Sequence, residues 1–196
     1  MTPAAAVLPP RLVTLHDGRQ VTLRPVEAGD EAAIVKAFER LSAASRYTRF
    51  GVHKKGINAA ALEHGLHPVP GQAFVFVATV PAGLGFDIVG AAQYVPAKAG
   101  EPGACEFAIT VAEDWRGSGL APQLLARLVR RARRDGYGTM EGLVIAVNRP
   151  MLALARRLRF KVEAVPTDGT VMRIERALWR APRPQARCTA PGAAAP

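Results

Sequence analysis

One segment limits the fold of this chain more than any other, the run from Cys105 to Ala121. It begins inside an alternating stretch, Ala104 to Val111, that is typical of a β-strand, and a glycine-rich turn follows. The turn leads straight into the amphipathic stretch from Leu120 to Asp135. Such a turn leaves backbone N–H groups unpaired at a helix N-terminus, where glycine permits close approach and the helix dipole favours negative charge. The segment therefore predicts a strand–loop–helix unit that can hold a pyrophosphate.

The glycine spacing excludes two common nucleotide-binding loops. No Gly-Lys-Ser/Thr follows, as a Walker loop requires, and the three glycines of a dinucleotide-binding fingerprint are missing. A glycine pair alone is also typical of an ordinary strand-to-helix turn. Its interpretation therefore depends on the rest of the chain.

Hydrophobic periodicity predicts a mixed α+β domain, a central sheet flanked by helices. In the Leu120 to Asp135 stretch the apolar residues fall on one arc at about 100° per residue, arginines fill the rest of the circumference, and Gly136 is a natural stop. Further helices are expected after Asp30, from Ala43 to Phe50, from Asn58 to His64 and from Pro150 onward. The expected strands are 21–25, 73–80, 87–95, 104–111, 142–147, 160–164 and 171–177.

Length and composition predict one domain between two low-complexity ends. A chain of 196 residues suits a single domain. We expect disordered tails at 1–10 and 180–196, the second because an Ala/Pro-rich stretch buries little apolar surface, and a domain at 11–179. No apolar run has the length of a membrane span, the start carries no basic leader, and two cysteines fit a reducing compartment. These features predict a cytoplasmic protein.

The formal charge of +10 implies an anionic partner. Nucleic acid is the weaker interpretation, because the arginines are spread along the chain and no basic run is interleaved with base-stacking aromatics. A phosphorylated cofactor accounts for the charge equally well. A metal site is not expected, since His64 and His67 have metal-like spacing but no third ligand nearby.

Three sets of motifs resemble the GNAT family of acyl-CoA N-acyltransferases, in the family's order. The run Arg116-Gly-Ser-Gly-Leu-Ala121 matches the Arg/Gln-x-x-Gly-x-Gly/Ala signature, and 148–160 is similar to the Asn-led helix that ends in Leu-Gly-Phe. The segments 21–25, with Asp30, and 41–50 are similar to the opening of Pat-type protein lysine acetyltransferase domains. The resemblance covers about residues 19 to 178. It implies a mostly antiparallel, twisted sheet whose middle strands splay apart.

The resemblance also implies acetyl-CoA as the cofactor and a way to bind it. The pantetheine arm would run beside Ile109 and Val111, and Asn148 would lie next to it. For Asn148 a helix N-cap before Pro150 is an equally good interpretation. The pyrophosphate would rest on the amides of Arg116, Gly117, Ser118, Gly119, Leu120 and Ala121.

Acetylation of an amine requires a base, for which we choose Glu106. At pH 7 roughly a few in ten thousand alkylamines are neutral, since their pKa is about 10.4. Strand alternation places Phe107, Ile109 and Val111 on one face and Glu106 on the other, and Pat-type members carry a Glu at this spacing. The strand around Ile109 to Val111 can supply N–H donors to the oxyanion. The alternative for Glu106 is a solvent-facing residue or an arginine partner.

Two positions depart from the family's pattern. The Tyr that protonates the leaving thiolate in many GNAT enzymes is replaced by Ala155, as it often is in Pat-type members, and Arg159 replaces the usual Gly before Phe160. The first hypothesis is therefore an N-acetyltransferase acting on a protein lysine. The alternatives are a small-molecule amine acetyltransferase, a non-catalytic acyl-CoA sensor and, from another class, a nucleic-acid-binding module. Among partners we expect an acyl-CoA and an amine, no membrane, and we leave a homodimer open.

Overall fold

The computed structural model describes residues 8–50, 59–97 and 103–179, and of 48–50 and 59–61 only the backbone. The predicted C-terminal tail, 180–196, and residues 1–7 of the predicted N-terminal tail lie outside this part. Leu8, at its start, packs against the core. The domain bounds 11–179 stay a prediction.

The described residues form an eight-stranded mixed sheet with five helices. The order across the sheet is β1-β2-β3-β4-β5-β6-β8-β7, and every neighbouring pair is antiparallel except β5 and β6. The strands are β1 (Arg11–Thr14), β2 (Gln20–Pro25), β3 (Phe74–Ala82), β4 (Gly85–Pro96), β5 (Ala104–Val111), β6 (Thr139–Ile145), β7 (Lys161–Val165) and β8 (Asp168–Ala177). The helices are α1 (Glu31–Glu39), α2 (Ala43–Phe50), α3 (Ala59–Leu66), α4 (Leu120–Arg134) and α5 (Arg149–Arg157).

The α+β class and the mostly antiparallel sheet predicted from the sequence are confirmed. The sequence did not predict β1, because only Val13 of its four residues is buried and an edge strand of this kind shows no alternation. The predicted strand 142–147 is also shifted, since β6 begins at Thr139 and ends at Ile145.

The sheet packs helices against both of its faces. On one face α4 buries Leu120, Leu124, Leu125, Leu128, Val129 and Ala132. All of these except Leu120 belong to the arc predicted from the sequence, whose remaining member, Ala121, is half-buried. The main core cluster also takes in Leu152, Leu154 and Ala155 of α5. On the other face α1 and α3 cover a smaller cluster around Val75, Val77 and Ile88. This arrangement holds β5 in the middle of the sheet.

The middle of the sheet opens into a fork. Strands β5 and β6 pair only from Ala104 to Glu106, opposite Thr139 to Glu141, whereas β5 stays paired with β4 as far as Val111. Phe107 lies in the fork with its ring centroid 5.3 Å from that of Phe160. A Cβ on Gly142 would come within 3.2 Å of the Phe107 ring. Glycine at this position therefore lets the ring lie between the separating strands.

Arg159 adopts a left-handed backbone conformation, with φ of 63°. Its amide donates to the carbonyl of Arg156 just after α5, which is where a helix usually ends in glycine. The family's glycine at this position is thus explained by backbone geometry, because a Cβ costs about 1 kcal/mol or more in this region.

We expect Arg159→Gly to stabilise the protein by about 0.5–1 kcal/mol, since the exposed arginine side chain gives up little packing. Thermal unfolding should shift upward by about 2 °C for a chain of this size. Arg156→Gly is the matched control: Arg156 is exposed and helical, so the same change should cost about 1 kcal/mol. An equal loss in both variants would contradict the strain at Arg159.

Candidate functional site

The fork between β5 and β6 forms an open cleft of about 950 Å³. Its walls come from both separating strands, from the loop before α4 and from the start of α5. Among the residues that line it are Glu106, Ile109, Val111, Arg116, Gly117, Gly119, Leu120, Ala121 and Asn148. The structure thus brings together all of the predicted site residues except Ser118, whose side chain is buried beneath the loop.

The loop before α4 presents backbone donors to the cleft. Gly117 and Gly119 have φ of 75° and 90°, in the left-handed region that favours glycine. The Ser118 hydroxyl donates to the Trp115 carbonyl at 2.7 Å and accepts from the Leu120 amide at 3.3 Å. Its predicted role toward a ligand is therefore limited to the backbone.

The remaining donors of this loop have no protein acceptor in the described part of the chain. They are the N–H groups of Gly117, Ser118, Gly119 and Ala121. The next residue, Pro122, has no N–H and stands in the first turn of α4, where none is needed. Four free donors at the positive end of a 15-residue helix suit a diphosphate.

His16 forms a wall of this loop that the sequence did not reveal. A Cβ on Gly119 would lie 2.7 Å from Cδ2 of His16, so the ring closes directly over the glycine. His16 belongs to the turn between β1 and β2 and also lines the cleft. It was missed because β1 was not predicted from the sequence.

A hydrogen-bonded network joins the loop to α2. One carboxylate oxygen of Glu113 accepts from the Ser42 amide at 2.8 Å and from the Ser45 hydroxyl at 2.6 Å. An Nη of Arg116 donates to the Ser45 oxygen at 2.7 Å. These bonds lower the pKa of Glu113 to about 2, through the Ser42 and Ser45 donors first and the charge of Arg116 last. The Arg116 side chain is thereby turned toward α2, while its backbone remains part of the loop.

Glu113→Gln should flatten the acid dependence of stability. A pKa lowered from 4.5 to about 2 means that the carboxylate stabilises the fold above about pH 4.5, and that this contribution disappears as the pH falls toward 2. As the pH is lowered across that window, the unfolding temperature of the wild type should therefore fall more steeply than that of the variant. Glu39→Gln, an exposed change at the end of α1, should keep the wild-type slope. Identical slopes for the wild type and Glu113→Gln would contradict the network.

Glu106 lies exposed at the base of the fork. Its Cα partners are Val95 of β4 and Glu141 of β6, and no ion pair with Glu106 occurs within the described residues. Phe107, Ile109 and Val111 pack toward the α4 core, so Glu106 belongs to the opposite face, as the alternation predicted. The described residues give no support to the alternative of an arginine partner.

Asn148 lies where α5 meets the cleft, and its place beside the cofactor arm stays a prediction. Its Oδ1 accepts from the Met151 amide at 3.3 Å, which makes it the N-cap of α5, and it also lines the cleft. Arg157 of α5 lines the cleft as well. Ala155, at the position of the family's Tyr, is fully buried and brings no acid to the site.

Two other candidates have structural roles. Cys105 is fully buried, its thiol donates to the Thr139 carbonyl at 3.5 Å, and burial raises its pKa to about 12, which is unsuitable for a nucleophile. His67 lies 3.4 Å from Glu63. Among the described residues no group of three His, Cys, Asp or Glu side chains is arranged to hold a metal.

A second cavity, of about 670 Å³, lies on the α1 and α3 face. Its walls are mainly apolar, and they include Ile34, Val77 and Ile88. It adjoins the cleft at Thr110 and Trp115, which line both. This cavity was not predicted, because it forms between elements far apart in sequence.

Comparison with known proteins identifies the fold and the family. The profile of the acetyltransferase (GNAT) family matches residues 62–160. An acetyltransferase of Pseudomonas aeruginosa is 35% identical over 157 residues, which cover 80% of this chain and 83% of that protein. The GNAT domain of S. lividans PAT superposes with a TM-score of 0.78 at 22% identity, over 86% of this chain and 96% of that one. The putative acetyltransferase yncA of Salmonella typhimurium, solved with acetyl-CoA, gives 0.67 at 21% identity, over 85% and 98%.

The forked, mostly antiparallel sheet is the fold shared with these structures, and the family profile together with the 35% identical relative makes the chain an acyl-CoA-dependent N-acyltransferase. This chain belongs to the GNAT acetyltransferase family, and acetyl-CoA is its acyl donor. The resemblance noted in the sequence is thereby confirmed. No helix in the described ranges has the length and apolarity to cross a membrane.

Proposed function

We propose that this enzyme acetylates a primary amine by direct attack, with Glu106 as the general base, and that its acceptor is a lysine side chain on a protein. The observation that carries this proposal is the exposed Glu106 carboxylate at the base of the fork, with no ion pair among the described residues. Acetyl-CoA, when bound, supplies the activated acyl carbon.

The loop before α4 and the open edge of β5 would bind different parts of acetyl-CoA. The free N–H groups of Gly117, Ser118, Gly119 and Ala121 would hold the pyrophosphate, and Ile109 and Val111 would flank the pantetheine arm. Beyond Glu106, β5 has no strand on its β6 side within the described residues. Backbone N–H groups on that edge can therefore donate to the carbonyl oxygen as its negative charge develops.

Glu106 would remove the proton that the acceptor nitrogen must lose. A lysine ammonium with a pKa near about 10.4 is almost fully protonated at neutral pH. Only the neutral amine can attack, so the ammonium first loses one proton to water. As the new C–N bond forms, the nitrogen becomes much more acidic and a carboxylate within reach can take its second proton, while the C–S bond breaks and CoA leaves as the thiolate. The carboxylate also attracts the ammonium group before reaction.

The choice of a protein lysine has two supports. Glu106 is exposed in an open cleft, so a side chain from another molecule can reach it. The segments 21–25 and 41–50 are similar to the opening of Pat-type domains, and in this structure Arg24 and the buried Asp30 form a paired contact of 2.6 and 2.7 Å. A cytoplasmic location and a homodimer stay predictions.

A small-molecule amine is the second candidate, and the apolar cavity beside the cleft favours it. A volume of about 670 Å³ is in the range that holds a compact ligand. An amine with an apolar body would place that body in the cavity and its nitrogen near Glu106.

Thiol release from acetyl-CoA, measured over a panel of acceptors, tests these alternatives. The panel contains lysine peptides, the same peptides with lysine replaced by arginine, and free amines with small or large apolar bodies. Release with lysine peptides alone supports the proposal, and release with free amines alone supports the second candidate. Tight acetyl-CoA binding without thiol release on any amine would overturn both acetyltransferase candidates and support the non-catalytic acyl-CoA sensor.

A further inference from the structure

We propose a second anion site in this protein, formed by Arg133, Arg159 and Arg176, whose ligand is the phosphate group of a small phosphorylated molecule. The site lies at the end of α4 opposite the acetyl-CoA loop, and the proposal does not depend on the acceptor or on the role of Glu106.

The sheet register brings the ends of three elements together. Lys161 of β7 pairs with Glu175, which sets the residues just before β7 beside Arg176. Met140 of β6, the strand that follows α4, pairs with Arg176 itself. Arg133 lies in the last turn of α4, Arg159 directly follows α5, and Arg176 lies near the end of β8. Arg176 lies two positions after the buried Ile174 on β8, so both side chains are on the face of the sheet that packs against α4 and α5. Its guanidinium carbon is 5.9 Å from the centre of the Phe160 ring.

No carboxylate balances these three charges within the described residues. The nearby acids are used elsewhere: Asp135 pairs with Arg131, and Glu175 pairs with Arg173. The C-terminal ends of α4 and α5 contribute about half a negative charge each. Three guanidinium groups against these two helix ends leave a charge of about +2.

The cluster also leaves a buried donor unused. The Nε of Arg133 is buried and has no hydrogen-bond partner among the described residues. Burial lowers the pKa of Arg176, and the charges of Arg133 and Arg159 lower it further. Arg159 in addition occupies a backbone conformation that favours glycine. Buried unpaired donors are rare in proteins, and each calls for an explanation such as a bound ion.

Acetyl-CoA bound at the loop cannot supply this anion with its pyrophosphate. Arg133 follows Gly119 by fourteen residues, which is about 20 Å at a helical rise of about 1.5 Å per residue. A tetrahedral phosphate dianion matches the net charge, and arginine forks bind its oxygens in pairs.

Inorganic phosphate is the probe, added to the full chain saturated with CoA, with chloride keeping the ionic strength constant. The wild type should unfold at a higher temperature in phosphate than in chloride, because binding stabilises the folded state. Arg176→Met keeps the apolar stem over Phe160 but removes the charge. It should lose the phosphate effect, with at least a tenfold weaker affinity by calorimetry, yet be no less stable than the wild type in chloride, because like-charge repulsion is relieved.

Two further variants complete the test. Arg134→Gln, an exposed change on α4 outside the cluster, should keep the full phosphate effect. Arg159→Gly, which the backbone favours, should lose it and provides a second variant if Arg176→Met does not fold. The proposal is overturned if phosphate raises the unfolding temperature of the wild type no more than chloride does. It is also overturned if Arg176→Met and Arg159→Gly both retain the phosphate effect. Steeply salt-dependent binding of duplex DNA, without any phosphate effect, would instead assign the cluster to a nucleic-acid surface and overturn it as well.

Discussion

Glu106→Gln is expected to lower kcat by about 10²–10⁴-fold, the usual contribution of a general base. The substitution keeps the size and polarity of the side chain and removes its ability to take a proton. Acetyl-CoA binding should remain within about twofold of the wild type, because the loop donors lie on a different segment from Glu106. Steady-state kinetics and calorimetry with acetyl-CoA measure the two effects separately.

Glu141→Gln is the matched control for this change. Glu141 is the Cα partner of Glu106 on β6, but it forms an ion pair with Arg173 and does not line the cleft. Its variant should keep kcat within about threefold, as expected for a partly exposed ion pair. Unchanged turnover in Glu106→Gln would remove Glu106 from the mechanism, and equal losses in both variants would indicate a general effect of surface charge.

Gly119→Ala is expected to weaken acetyl-CoA binding at least tenfold and to destabilise the protein by about 1–3 kcal/mol. Two causes act together. The residue has φ of 90°, and the added Cβ would meet the His16 ring at 2.7 Å. Relief of this contact must move either the ring or the loop amides that face the cleft. Calorimetry with CoA and chemical denaturation report the two losses.

Gly136→Ala is the control that introduces the same kind of backbone strain without changing the shape of the site. Gly136 has φ of 89° with no atom within 4 Å of its added Cβ, and it lies at the opposite end of α4. It should cost about 1 kcal/mol in stability and leave CoA affinity unchanged. Adding His16→Ala to Gly119→Ala should recover the part of the loss caused by the contact. Wild-type CoA affinity in Gly119→Ala would exclude a role for the loop.

The features predictable from the sequence are those determined by neighbouring residues. Three of them depend on short-range patterns. They are the apolar arc of α4, the alternation along β5 that places Glu106 and Phe107 on opposite faces, and the glycine-rich loop between β5 and α4. The fork in the sheet was implied by the family resemblance and not by any pattern, because it depends on how far β5 and β6 pair.

The remaining parts of the site depend on contacts between distant segments. Arg116 reaches Ser45 across 71 positions, and His16 meets Gly119 only because β1 and β2 form an edge hairpin beside the loop. The left-handed φ of Arg159 follows from no local pattern, and only the family's usual glycine at this position pointed to it. Such features require the register of the whole sheet, which local patterns do not determine.

The three residue pairs between β5 and β6 divide the sheet into two leaves joined by a short seam. Helix α4 rests on β3, β4 and β5 of one leaf, whereas α5 rests on β7 of the other. Each leaf keeps its own strand ladder when the angle between them changes. A small change in side-chain volume just beyond the seam, where Phe107 meets Gly142, can thus alter the width of the cleft without disturbing either leaf. Substrate range in such an architecture can evolve through very few substitutions.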